Sequence, residues 1–183
     1  MLISLVGLPG VGKSTLGRRL AGRLGLAYLD CDTMVEARLG EAIAPFFERE
    51  GEAAFRDLET LVLAEALGGD DAVVATGGGA VLREANRRLL RERTVCVYLH
   101  AHPEALFSRL RRNTRRPLLR VADPEARLLE MAHERDPLYR ECAGVVVEID
   151  GRGSSATIVL IEEALRAIAA VHAADEQASG IRS

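Results

Sequence analysis

Residues 7–15, GLPGVGKST, restrict the fold of this chain more than any other stretch. They match the pattern GxxxxGK[ST], a glycine-rich turn whose backbone cradles phosphate groups. Gly7, Gly10 and Gly12 allow a tight turn, so the run Gly10, Val11, Gly12, Lys13, Ser14 and Thr15 can aim successive N–H groups at a polyphosphate. Lys13 supplies a compact ammonium to the β- and γ-phosphates, and Ser14 a hydroxyl for Mg²⁺. Lys13 is the single lysine in a chain with twenty-three arginines, so a point charge on a thin stem is kept where a planar guanidinium would not fit. The flanks agree with the motif. Residues 2–6, LISLV, suit a buried parallel strand, and Leu16, Leu20 and Leu24 recur at helical spacing behind the loop. The loop therefore belongs at a strand-to-helix junction, where a helix N-terminus attracts anions.

A length of 183 residues, with 48% hydrophobic and 28% charged side chains, predicts one globular domain with a real core. No apolar run approaches the roughly 20 residues of a membrane span, and the first residues enter a strand at once, leaving no room for a signal peptide. The expectation is a cytoplasmic protein without a membrane partner. Cys31, Cys96 and Cys142 lack metal-ligand spacing and are odd in number, which predicts free thiols. A net charge of −3 is too balanced for a general nucleic-acid binder, so any anion site must arise from local clustering.

Further strand-like runs follow at residues 27–30, 73–76, 94–99 and 144–149, separated by helical stretches. Short strands alternating with helices predict an α/β fold, a five-stranded parallel sheet with helices on both faces. Asp123 and Pro124 form a helix start, an N-cap followed by proline at the first position. Ile158, Ile161, Leu165 and Ile168 give the last helix an apolar side. Beyond about residue 170 that pattern lapses, so the expectation is a single domain over 1–170 and a disordered tail over 171–183.

A phosphate-binding loop is common to switches, motors and small-molecule kinases, so the choice among them lies elsewhere. Asp30 and Asp32 follow the second strand, at the carboxyl edge where open α/β sheets bind ligands. One carboxylate can face a metal and its waters while the other faces an incoming hydroxyl, or one can simply cap the next helix. Arg56 and Glu59 share a helix side opposite Phe55 and Leu58, a spacing that by itself favours a solvated pair. Gly77, Gly78 and Gly79 follow the third strand, where successive glycines serve close approach of backbone to ligand. Residues 109–120 carry Arg109, Arg111, Arg112, Arg115, Arg116 and Arg120, a cationic segment suited to a lid that clamps phosphates. It lacks the interleaved aromatics of a nucleic-acid patch. Arg135, in RDPLY, is either a further anion contact or a surface charge.

GLPGVGKST, DCD, Phe55-Arg56, the three glycines, Arg116-Pro117 and RDPLY, in this order and at these intervals, resemble the shikimate kinase family. The resemblance implies the nucleoside-monophosphate-kinase-like fold with strand order 2-3-1-4-5, a mobile lid over about 111–123 and a substrate-binding region over about 31–61. It implies ATP-dependent phosphorylation of the shikimate 3-hydroxyl on the route to chorismate and aromatic amino acids, with Mg²⁺ as cofactor, in what is expected to be a monomer. By the same resemblance Asp32, Lys13 and Arg116 would be catalytic, and Ser14 and Asp30 would lie at the metal. Arg109 would cover the adenine, Arg116 would reach the phosphates, and Arg152 would sit near the nucleotide. Asp32, Arg56, Arg135 and the segment Gly77, Gly78, Gly79 would hold shikimate. A gluconate kinase should not need the combined DCD, FR and GGG set, and a guanine-nucleotide switch should carry an NKxD motif, which is absent.

Overall fold

The computed structural model describes residues 1–110 and 122–180. Five strands, β1 (Ile3–Val6), β2 (Ala27–Asp30), β3 (Ala72–Ala75), β4 (Val95–His100) and β5 (Val145–Glu148), form one parallel sheet in the order β2-β3-β1-β4-β5. Every residue of the central strands β1 and β3 is buried, as expected of largely apolar strands covered on both faces, and the one polar residue among them, Ser4, hydrogen-bonds Thr94 at 2.7 Å. The edge strands β2 and β5 stay partly exposed.

The helices are α1 (Lys13–Leu24), α2 (Cys31–Leu39), α3 (Ile43–Ala66), α4 (Glu84–Arg93), α5 (Pro103–Leu110), α6 (Pro124–Cys142) and α7 (Ser154–Gly180). The connection from β1 runs toward one edge of the sheet, whereas those leaving β2, β3 and β4 run toward the other. Right-handed crossovers therefore send α1 to one face and α3, α4 and α6 to the opposite one. Accordingly α7 packs on α1, and α4 packs against both α3 and α6. The direction reverses between β1 and β3, and this switch point opens a crevice at their carboxyl ends. The phosphate loop leaves β1 there and the glycine triplet leaves β3 there.

Gly51, at φ 83° and ψ 174°, breaks α3 into two segments and sets the direction of the second, which carries Arg56. Asp123 caps α6 by accepting a hydrogen bond from the Ala126 N–H at 2.9 Å, with Pro124 in the first turn. The three cysteines are free and buried, and burial pushes Cys31 and Cys96 up to about 12, which leaves them unreactive. One expectation is corrected. Residues 171–180, expected in a disordered tail, are helical, because α7 continues to Gly180. Its apolar stripe does lapse, and Val171 is 58% exposed, but an alanine-rich, proline-free sequence keeps helical propensity without a buried face. Among the described residues no helix is long and apolar enough to cross a membrane.

Candidate functional site

The crevice holds two cavities separated by the phosphate loop. The smaller, about 190 Å³, is lined by Gly10, Val11, Gly12 and Thr15 of the loop together with Ile149 and Arg152 beyond β5. Gly10 and Gly12 have φ of 87° and 103°, which L side chains rarely adopt, so the turn depends on glycine at both. Lys13 is folded against the loop and is 8% exposed. Its Nζ donates to the carbonyls of Gly7 at 2.8 Å and Leu8 at 3.1 Å.

The larger cavity, about 560 Å³, lies on the other side of Pro9 and is lined by Asp32, Arg56, Arg135 and Gly77, Gly78 and Gly79. Its polar wall is cross-linked. Arg56 Nη1 donates to Glu59 Oε2 at 2.7 Å, and its Nε and Nη2 donate to Glu52 Oε1 at 3.3 and 3.2 Å. The glycine triplet is packed onto this wall. A Cβ on Gly79 would stand 2.4 Å from Arg56 Nη1, and one on Gly77 would stand 2.6 Å from Glu59 Oε1 and 3.0 Å from Asp32 Oδ1. Charged side chains thus occupy the space that side chains at Gly77 and Gly79 would need, and Pro9 of the phosphate loop occupies it at Gly78. Arg135 and Tyr139, one turn apart on α6, both donate to the Gly78 carbonyl, at 3.3 and 2.5 Å. Arg135 is 7% exposed, and its Nε is buried with no hydrogen-bond acceptor among the described residues.

Glu59 is the residue that sequence reasoning misread. The Arg56–Glu59 pair is not solvated, since Glu59 is 2% exposed beneath Gly77. Helical spacing puts the pair on one side but does not say that a second part of the fold will cover that side. Burial pushes the Glu59 carboxyl above the ordinary glutamate range, although Arg56 pulls it down. Asp32 reaches solvent across the cavity it lines, while the protein around it pushes its carboxyl up by desolvation, with Lys13 opposing and Asp30 adding to the rise. The influence of Lys13 on Asp32 links the two cavities electrostatically. Met131 and Arg127 of α6 also line the larger cavity, and no motif in the sequence singled them out.

Asp30 caps α2. Its Oδ1 accepts from the backbone N–H groups of Asp32 and Thr33 at 3.1 and 3.4 Å, and its Oδ2 accepts from the Tyr28 hydroxyl at 2.8 Å. Tyr28 also interacts with Ser14, at the start of α1, so Ser14 and Asp30 share a neighbour. Arg109 belongs to α5. Arg116, the expected catalytic arginine of the lid, lies outside the described residues with Arg111, Arg112, Arg115 and Arg120, and of the expected lid only Ala122 and Asp123 lie within them.

A family model described as Shikimate kinase matches residues 9–169. Shikimate kinases of Paracidovorax citrulli and Halorhodospira halophila are each 52% identical to the chain, covering 86% and 90% of it and 87% and 93% of the relatives. The structure of shikimate kinase from Acinetobacter baumannii in complex with shikimate is similar at a TM-score of 0.83 and 41% identity, covering 92% of this chain and 93% of that one.

Proposed function

This chain belongs to the shikimate kinase family, and on that premise we propose how its two cavities divide the ATP-dependent phosphorylation of the shikimate 3-hydroxyl. The enzyme is a kinase of aromatic amino acid biosynthesis. In this reading it works in the cytoplasm. The smaller cavity takes ATP, with the β- and γ-phosphates on the backbone of the loop, Lys13 beside them and Arg152 at the nucleotide's edge. The larger takes shikimate. The observation that carries this reading is the convergence of Asp32, Arg56, Arg135 and the glycine triplet around one cavity that shares Pro9 with the phosphate loop.

A small ring acid needs guanidinium groups at its carboxylate and a proton acceptor at its reacting hydroxyl. Three donors of Arg56 are engaged by Glu52 and Glu59, leaving two of the roughly five N–H groups of a guanidinium for a carboxylate. Arg135 brings a second guanidinium to the same cavity, its Nε paired at 3.7 Å with Glu134 Oε2. Glu59 and Glu52 then act as the frame that holds Arg56 in place. At the other end of the substrate the 3-hydroxyl attacks the γ-phosphorus, the bond to the ADP oxygen breaks, and Asp32 accepts the hydroxyl proton. Its surroundings raise the Asp32 carboxyl above the ordinary aspartate range, which makes it a stronger base than an unperturbed aspartate. Phosphoryl transfer asks the protein mainly for alignment and charge neutralisation, which Lys13 provides and Arg116 would provide from the lid.

The donors near the loop suit Mg²⁺. The Ser14 hydroxyl and the Asp30 carboxylate are hard oxygens set around Tyr28, and Mg²⁺ needs few protein ligands because it keeps waters and phosphate oxygens. When bound, Mg²⁺ would neutralise charge on the β- and γ-phosphates. Asp30 would reach it through water, since its own oxygens already cap α2 and bond Tyr28.

The test is ADP formation by the purified enzyme with shikimate, quinate or gluconate as the acceptor. Shikimate should drive it. ADP formation indifferent to shikimate, or driven by gluconate alone, overturns the reading.

A further inference from the structure

Beside the smaller cavity, which Ile149 and Arg152 line on either side of Asp150, two imidazoles and two carboxylates meet where β4 and β5 end. The parallel register sets His100 directly beside Glu148. His100 Nδ1 and Glu148 Oε2 are 2.5 Å apart. Two residues further along each strand, Asp150 Oδ2 accepts from the backbone N–H of His102 at 2.8 Å and lies 2.7 Å from its Nδ1. The two imidazole rings stand edge to face with centroids 5.1 Å apart. One ligating atom from each of His100, His102 and Glu148 lies within 4.8 Å of the others. In addition, Asp150 Oδ1 is buried and has no hydrogen-bond partner among the described residues.

We propose that His100, His102 and Glu148 bind a transition-metal dication of the Zn²⁺ class, with Asp150 orienting His102. The donor set selects the class. Two imidazoles and a carboxylate suit Zn²⁺ and its neighbours, whereas Mg²⁺ prefers oxygen alone, so this centre is chemically distinct from the one at Ser14. An imidazole whose second nitrogen is held by a carboxylate is the usual arrangement around a metal-bound histidine, because the carboxylate fixes the tautomer and raises ligand basicity. His102 and Asp150 form that arrangement.

On binding, the ion replaces the direct His100–Glu148 contact, and a proton held between them is released to solvent. With metal–ligand bonds near 2.0–2.1 Å in a tetrahedron the two ligating atoms must separate to about 3.3 Å. The Glu148 side chain is 54% exposed and free enough to make that shift. Water fills the fourth position at the open side. Asp136, with Oδ1 3.8 Å from His100 Nε2, is already engaged by Tyr98 and Arg140 and stays outside the ligand set. The ion would join the ends of β4 and β5 to the start of α5, where the Leu106 N–H bonds the His102 carbonyl at 2.9 Å.

The test uses the full chain without nucleotide, titrated with Zn²⁺ in a calorimeter and with Co²⁺ followed by visible absorption. A single tight ion per chain and an intense tetrahedral Co²⁺ band are expected. His102→Ala removes an exposed side chain and should leave the circular dichroism spectrum intact while weakening binding at least 10-fold. His100→Ala should do the same, and Asp150→Asn should cost about 10–100-fold, the usual effect of losing a carboxylate behind a metal-bound histidine. His133→Ala, on a different surface, should bind as the parent does. Saturation only in the millimolar range, or equal affinity in the parent and His102→Ala, overturns the proposal.

Discussion

The two halves of the crevice recognise their ligands by different means. The smaller cavity is made of backbone: a run of consecutive loop residues turned by Gly10 and Gly12, with a lysine folded against it. The larger is made of side chains delivered by α2, α3, the turn after β3 and α6, each arriving from a separate part of the chain. Phosphates are alike in every nucleotide, so one contiguous loop serves. A ring acid with one carboxylate and one reacting hydroxyl must be held at two points, and no contiguous segment spans both. The difference makes the first half local and robust, and the second dependent on the whole fold.

Asp32→Asn should break the comparison most severely. Its turnover should fall by about 10²–10⁴-fold, the worth of a positioned proton acceptor, while nucleotide affinity stays near that of the parent. Normal turnover would remove Asp32 from the chemistry. In the unmodified enzyme Asp32 must be ionised to act. Its carboxyl lies above the ordinary aspartate range, so kcat/KM should be lost as pH falls through that raised value. An acid limb confined to the ordinary aspartate range would contradict the desolvation argument.

Arg56→Ala should raise the KM for shikimate by about 10- to 150-fold, from charged hydrogen bonds worth about 1.5–3 kcal/mol. Gly79→Ala places a Cβ 2.4 Å from Arg56 Nη1 and should reproduce a large part of that rise without touching the arginine. Unchanged shikimate saturation in Gly79→Ala would show that Arg56 need not occupy its place against the triplet.

Glu59 sharpens the comparison through stability. Its carboxyl is raised in the folded state, so its favourable contribution is full below the ordinary glutamate range and is lost as pH rises through the raised value. Glu59→Gln, always neutral, should show a smaller loss of Tm over that rise while its KM for shikimate increases because Arg56 loses its anchor. A Tm–pH curve identical to the parent's would contradict the assignment. Arg152→Ala should do least. The side chain is exposed, and loss of a surface charge contact worth up to about 1 kcal/mol weakens nucleotide binding by no more than about fivefold.

The same contrast explains what could be read in advance. The strands, the phosphate loop with its turn glycines and the cap at Asp123 were legible, because short-range periodicity and turn chemistry act over a few residues. The free thiols were legible from spacing and number. The second role of Asp30, as cap of α2, stood open beside a metal role until its bonds to Asp32, Thr33 and Tyr28 were on view. The burial of Glu59 was not legible, because it depends on the turn after β3 arriving above α3. The continuation of α7 was misjudged because loss of an apolar stripe was taken for loss of helix, although alanine sustains a helix without one.

What the amino-acid order determined by itself was the alternation of strand and helix, the cradle at residues 7–15 and the types of charged group available to a second ligand. Those follow from interactions between near neighbours, where backbone dihedrals and side-chain spacing suffice. Only the tertiary structure decided which distant groups face one another: Gly77 over Glu59, Arg135 on the Gly78 carbonyl, His100 beside Glu148. Such pairings join residues that meet only when the sheet takes its order and its crossovers choose their faces, and the resulting burial then sets how strongly each charge acts.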